Sequence, residues 1–179
     1  VSTPAIIAIV VAAAILWALL WMPRRMRTRS YSATTLIQRS PEDVFAFVAD
    51  LPRCVRILTG AQTVRRLSEG PVALGTRFHS DTVMGSVRFA EENEIVAFEP
   101  PRNFAWREAG FASGTESIHL EPDGKATRVT HRYEAVESYP NALLGMVLFG
   151  PLLSRAGARD RRKSWASIKG ELEGTTPTL

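Results

Sequence analysis

The stretch Ser40–Pro52, SPEDVFAFVADLP, decides how the rest of the chain is read. Ser40 is a helix N-cap, Pro41 suits the first helical position, and Glu42 and Asp43 complement the positive end of the helix dipole. Val44, Phe45 and Val48 then fall on one apolar face. A second short helix, entered through Pro52, is predicted over Asp50–Leu58. Just upstream, Tyr31–Arg39 reads as a strand. Downstream, alternation and Gly, Pro or Asp-Gly punctuation predict strands at 62–68, 75–84, 86–98, 103–109, 114–121 and 126–137. A long helix closes the chain from near Pro140 to about Glu173, with Gly150-Pro151 as a kink or break. Its second half sets Arg155, Arg159, Arg161, Arg162 and Lys163, which read as a solvated face, against an apolar seam of Trp165, Ile168 and Leu172.

Outside this pattern lies Ala5–Met22, 18 apolar residues without interruption. At about 1.5 Å per residue such a helix covers roughly 27 Å, near the hydrocarbon thickness of a bilayer. Trp17 and Trp21 suit an interfacial belt, and Arg24, Arg25, Arg27 and Arg29 follow. The sequence therefore predicts an uncleaved single-pass anchor at 5–22, a basic linker at 23–31, one domain at 32–173 and a tail at 174–179. By the positive-inside rule the domain would stand in the cytoplasm, at the cell membrane. A cleaved leader fits less well, because no basic residue precedes the run and no small-x-small site follows it.

The net charge of +4 belongs to those four arginines; without them, 18 basic residues face 18 acidic ones. The pI of about 9.7 is thus no footprint for nucleic acid, and no recognition helix, zinc spacing or aromatic RNA-binding strand accompanies it. No nucleic-acid partner is expected. Cys54, the one cysteine, excludes an intrachain disulfide. His79, His119 and His131 show no metal-ligand spacing, so no metal is expected. No cofactor is expected either, since neither a Walker loop, a dinucleotide fingerprint nor a G-x-S-x-G elbow is present.

With SPEDVFAFVADLP, Gly75-Thr76 opening a strand, FEPPRNFAW at 98–106 and LEPDGKATRVTHRYE at 120–134, the chain resembles the SRPBCC, or START-like, superfamily in its polyketide cyclase/dehydrase-like branch. The likeness covers about Ser32 to Glu173. It departs where Cys54-Val55-Arg56 replaces a tryptophan often seen after the first helix, and where Lys125-Ala126-Thr127 follows Gly124. The resemblance implies an α+β helix-grip fold, an antiparallel sheet wrapped around the long C-terminal helix, here preceded by one transmembrane helix. It also implies an apolar cavity between sheet and helix for a hydrophobic small molecule. Phe78, Phe89, Phe104, Trp106, Ile118, Val129, Met146 and Phe149 are the candidates to line it, although aromatic stripes are core before they are binding sites.

One polar pair emerges from register. If PDGK forms a four-residue hairpin loop with Glu121 facing Ala126, then Ile118 faces Val129 and Glu116 faces His131, on the inner face. Glu116 and His131 are accordingly the candidate catalytic residues, a base and its orienter or a polar anchor for a ligand; the alternative is a cross-strand ion pair. Two functions follow. One is a membrane-tethered binding or carrier protein for a lipid, quinone or polyketide-like molecule, with the N-terminal helix as its membrane contact. The other is a cyclase or dehydratase acting through the polar pair. A scaffold with a vestigial cavity is the third.

Overall fold

The computed structural model describes residues 3–20, 28–84, 87–109, 112–137 and 140–174, with side chains for 3–17, 30–82, 90–109, 113–135, 155 and 157–174. The elements run α1 (Thr3–Leu20), β1 (Thr28–Ile37), α2 (Pro41–Ala49), α3 (Leu51–Thr59), β2 (Thr63–Arg66), β3 (Arg77–Met84), β4 (Val87–Glu99), β5 (Asn103–Ala109), β6 (Ala112–Asp123), β7 (Ala126–Glu137) and α4 (Pro140–Glu173). Ser40 caps α2 through Oγ, which accepts from the Asp43 amide at 3.2 Å. Asp50 caps α3 in the same way, accepting from the Arg53 amide at 3.4 Å. Gly60 ends α3 with φ at 72°, a left-handed conformation that a side chain would strain. β1 begins at Thr28, earlier than its alternation suggests, and α4 continues through Gly150-Pro151 as one helix.

The seven strands form one antiparallel sheet in the order β1-β7-β6-β5-β4-β3-β2. Every neighbour follows in sequence except β1, which returns to pair with β7, so the sheet curls round the long helix as a helix-grip α+β fold. The α4 seam that fills it is Trp165, Ile168 and Leu172, spaced to share one face. Trp165 and Ile168 are buried to within 1% of completely, each worth about 1.5–3 kcal/mol of burial. Val44, Phe45, Phe47 and Val48 of α2 and Leu51, Cys54, Val55 and Leu58 of α3 plug one end of the sheet.

The register of β6 and β7 differs from the expected one. Asp123 pairs with Ala126, so the turn is the two residues Gly124-Lys125, and Gly124 takes a φ of 63° that a tight hairpin requires. Leu120 therefore faces Val129, Ile118 faces His131 and Glu116 faces Tyr133. Because each partner moves by two residues, every side chain stays on its face.

The N-terminal anchor is corrected as well. Among the described residues no helix is long and apolar enough to cross a membrane. Neither the single-pass span at 5–22 nor the cell-membrane placement with a cytoplasmic domain is retained. Ile6, Ile7, Ile9, Val10, Val11, Ile15, Leu16 and Trp17 of α1 are exposed. Trp21, Arg24, Arg25 and Arg27 lie outside the described residues.

Candidate functional site

Inward-facing side chains of the sheet form rows that cross several strands. One row is Ile95, Trp106, Glu116, Tyr133 and Tyr31, from β4 to β1. On one side of it lies Phe104, Ile118, His131 and Ala33; on the other lies Phe78, Asn93, Glu108, Gly114 and Ala135. The first of these flanking rows faces α2 and the apolar core. The second carries polar groups into the interior.

Glu116 and His131 meet diagonally rather than directly, with His131 Nε2 at 2.7 Å from Glu116 Oε2, both side chains buried to 1% or less. The indole of Trp165, a donor only, gives its N–H to His131 Nδ1 at 3.0 Å. Nδ1 must then hold a lone pair, so the imidazole proton sits on Nε2 and is donated to Glu116. The second carboxylate oxygen, Oε1, accepts from Arg161 Nη2 at 2.7 Å. Arg161 also donates to Tyr31 OH at 2.5 Å and, through Nη1, to the Leu58 carbonyl at the end of α3. One guanidinium thus joins α4 to β1, β6 and α3. Gly157, one turn before Arg161, makes room for the ring of Tyr31: a Cβ there would lie 3.0 Å from two ring carbons. Tyr31 in turn stacks on Tyr133, ring centroids 4.9 Å apart.

Burial pushes the Glu116 carboxyl up, but Arg161 and His131 outweigh it and hold the group below the ordinary carboxylate range. Burial, with Glu116 nearby, raises Tyr31 to about 12 against the opposing pull of Arg161. Glu108, two residues along β5 from Trp106, behaves oppositely to Glu116. Burial first, then the charges of Glu116 and Glu91, push it up to about 8, so it is an acid at neutral pH. Its Oε1 accepts from the Trp106 indole at 3.4 Å. Beside it, Asn93 donates to Ser80 Oγ at 3.0 Å, and both residues are buried.

Of the residues expected from sequence, Phe78, Phe104, Trp106, Ile118 and Val129 are buried in one cluster with α2, α3 and the α4 seam. Phe104 meets Phe45 edge-on at 6.1 Å and Trp106 at 6.0 Å. The side chains of Phe89, Met146 and Phe149 lie outside the described ones. Two residues of the inner polar set, Arg161 and Glu108, escape the sequence reading. Arg161 belongs by composition to the basic face of α4, yet its spacing of four and seven residues from Trp165 and Ile168 puts it on the buried seam. Glu108 continues the Phe104, Trp106 alternation inward. The outer face of the sheet carries a separate groove of about 370 Å³, flanked by Asn103, Ala105, Ser117, His119, Thr130 and Arg132, none of which belongs to the inner polar set.

Residues 28–173 match a family model described as polyketide cyclase / dehydrase and lipid transport. Among solved structures, the protein TTHA0849 of Thermus thermophilus is similar at a TM-score of 0.65 and 16% identity, over 81% of this chain and 97% of that one. The ZhuI aromatase/cyclase of Streptomyces sp. R1128 gives 0.63 and 14%, over 82% and 94%. Ginseng major latex-like protein 151 of Panax ginseng gives 0.50 and 19%, over 76% and 97%. Identities this low speak for the fold alone. A comparison with curated proteins finds no match.

Proposed function

The chain belongs to the polyketide cyclase / dehydrase and lipid transport family, and on that footing we propose that it binds a hydrophobic small molecule between the concave face of the sheet and α4. The observation that carries this reading is the division of the inner face. Apolar and aromatic side chains are continuous from Phe78 through Trp106 to Ile118, and they adjoin one short run of buried polar groups, Ser80, Asn93 and Glu108. Sites for small apolar ligands combine those two features, area for affinity and a few polar groups for orientation. Glu116 and His131 serve this reading as positioning residues, since both carboxylate oxygens and both ring nitrogens are already bonded within the protein.

A cyclase or dehydratase acting on a carbonyl compound is the second reading. It is favoured by the opposite protonation of two carboxyls on adjoining rows, Glu108 as an acid and Glu116 as a carboxylate. In that reading Glu108 is the proton donor.

Titration of the full chain with Nile red, a neutral apolar dye, tests the binding reading. In a Trp17→Phe/Trp21→Phe background the remaining tryptophans are Trp106 and Trp165, both interior. Saturable one-to-one quenching of their emission is expected. Dye uptake that never saturates and leaves that emission unchanged, with cooperative unfolding intact, would overturn it.

A further inference from the structure

We propose that Glu108, opposite Asn93, forms the polar end of the ligand site and takes an uncharged oxygen, such as a ketone, quinone or ester carbonyl, in preference to a carboxylate. This rests on the binding reading above and adds the class of ligand.

Unsatisfied hydrogen-bonding capacity is the first ground. Glu108 is 6% exposed and Asn93 3% exposed, and the two face each other across β4 and β5. The Trp106 indole occupies Glu108 Oε1, and Ser80 and the Glu91 carbonyl occupy Asn93 Nδ2. Glu108 Oε2 has no partner among the described residues. Buried polar atoms left open in this way cost about 1–3 kcal/mol each unless something fills them. The neighbours of Glu108 along its row are Gly114 and Ala135, with the Tyr133 ring 3.3 Å from where a Gly114 Cβ would stand.

Charge is the second ground. The groups around Glu108 are Glu91 of β4, Glu116 of β6, Tyr31 of β1 and Arg161 of α4, with Tyr133 of β7 on the adjoining row. Arg161 is the buried cation among the described residues, and its donors go to Glu116, Tyr31 and the Leu58 carbonyl. From Pro140 to Ser154 α4 contains no ionisable residue at all. Among the described residues a carboxylate brought to this end would therefore meet acidic groups and no uncommitted cation, whereas a neutral oxygen could accept from the Glu108 O–H. Burial and its acidic neighbours keep that proton in place up to about pH 8.

The test is displacement of Nile red from the full chain, read on the interior tryptophans, by 2-nonanone and by nonanoate at pH 7. The ketone is expected to displace the dye at a concentration about tenfold lower, the equivalent of one net hydrogen bond. Ketone affinity should fall as pH rises through about 8 in the native chain. It should stay flat with pH in Glu108→Gln, which keeps a donor, and be flat but weakened in Glu108→Leu, which lacks one. Nonanoate matching or exceeding the ketone, or undiminished ketone affinity in Glu108→Leu, would overturn the proposal while leaving the binding reading intact. Failure of the dye itself to bind would overturn both.

Discussion

Removing the cation from the Arg161–Glu116 pair should be among the costliest single changes in the domain. In Arg161→Met the side chain keeps its volume and its place beside Trp165, but Glu116, 1% exposed, keeps its charge and loses the partner 2.7 Å away. His131 then donates the one remaining bond to that carboxylate. Breaking a buried ion pair from one side costs about 3–5 kcal/mol, because the remaining charge is desolvated without compensation. Against a total stability of about 5–15 kcal/mol for a domain, such a variant still folds measurably. Glu116→Gln leaves Arg161 with neutral acceptors only, Tyr31 OH and the Leu58 carbonyl, and should cost about the same. The double variant removes both charges and should cost less than either single change, so the coupling is at least about 3 kcal/mol. Urea unfolding of the full chain, followed by tryptophan emission and far-ultraviolet circular dichroism, measures all three. The deficit of Arg161→Met should shrink as pH falls, because its Glu116, no longer held low, protonates earlier than in the native chain. Costs that add within about 0.5 kcal/mol would show that the two side chains do not act as a pair and would refute this account of how α4 is held.

Glu108 has a folded value of about 8 against an ordinary 4.5, so its contribution to stability is fully present below pH 4.5 and is lost as pH rises toward 8. At pH 7 the native chain should be weaker than Glu108→Gln by on the order of 3 kcal/mol relative to their difference at pH 4.5; parallel pH profiles from urea titrations would contradict this. Cys54 is 1% exposed, and burial, reinforced by Glu116, raises its thiol well above the ordinary range. A thiol-disulfide reagent at pH 8 should therefore label it only at the rate of unfolding, and rapid labelling of the folded chain would show that α3 does not seal this end of the sheet.

Much of the fold was legible because it is built from local signals. Ser40 and Asp50 cap their helices from within three residues, Gly60 and Gly124 mark turns that need a positive φ, and the period of two along NFAWREA assigns an inner face. The face shared by Glu116 and His131 was legible for the same reason, since a register error of two residues preserves it. The error itself came from the turn: PDGK reads as a four-residue loop, yet the strands pair through Asp123 and Ala126 and leave only two residues outside. A run of 18 apolar residues likewise reads as a span from composition, but composition does not establish a helix able to cross a bilayer.

What the sequence by itself determined is each residue's local state: which segments form helix or strand, which side of a strand a side chain takes, and where the chain turns. These depend on neighbours within about four positions, where propensity, capping and periodicity act. Only the tertiary structure decided the electrostatics. Glu108 and Glu116 are the same residue type on adjoining strands, and nothing within a few positions of either distinguishes them. They separate because Arg161, 45 residues beyond Glu116, reaches one carboxyl from α4, while Glu108 is buried among acidic groups with the Trp106 indole as its one hydrogen-bond donor among the described residues. Charge interactions in a buried site act through space over a few ångströms, and the chain brings those groups together only when the sheet has closed around the helix.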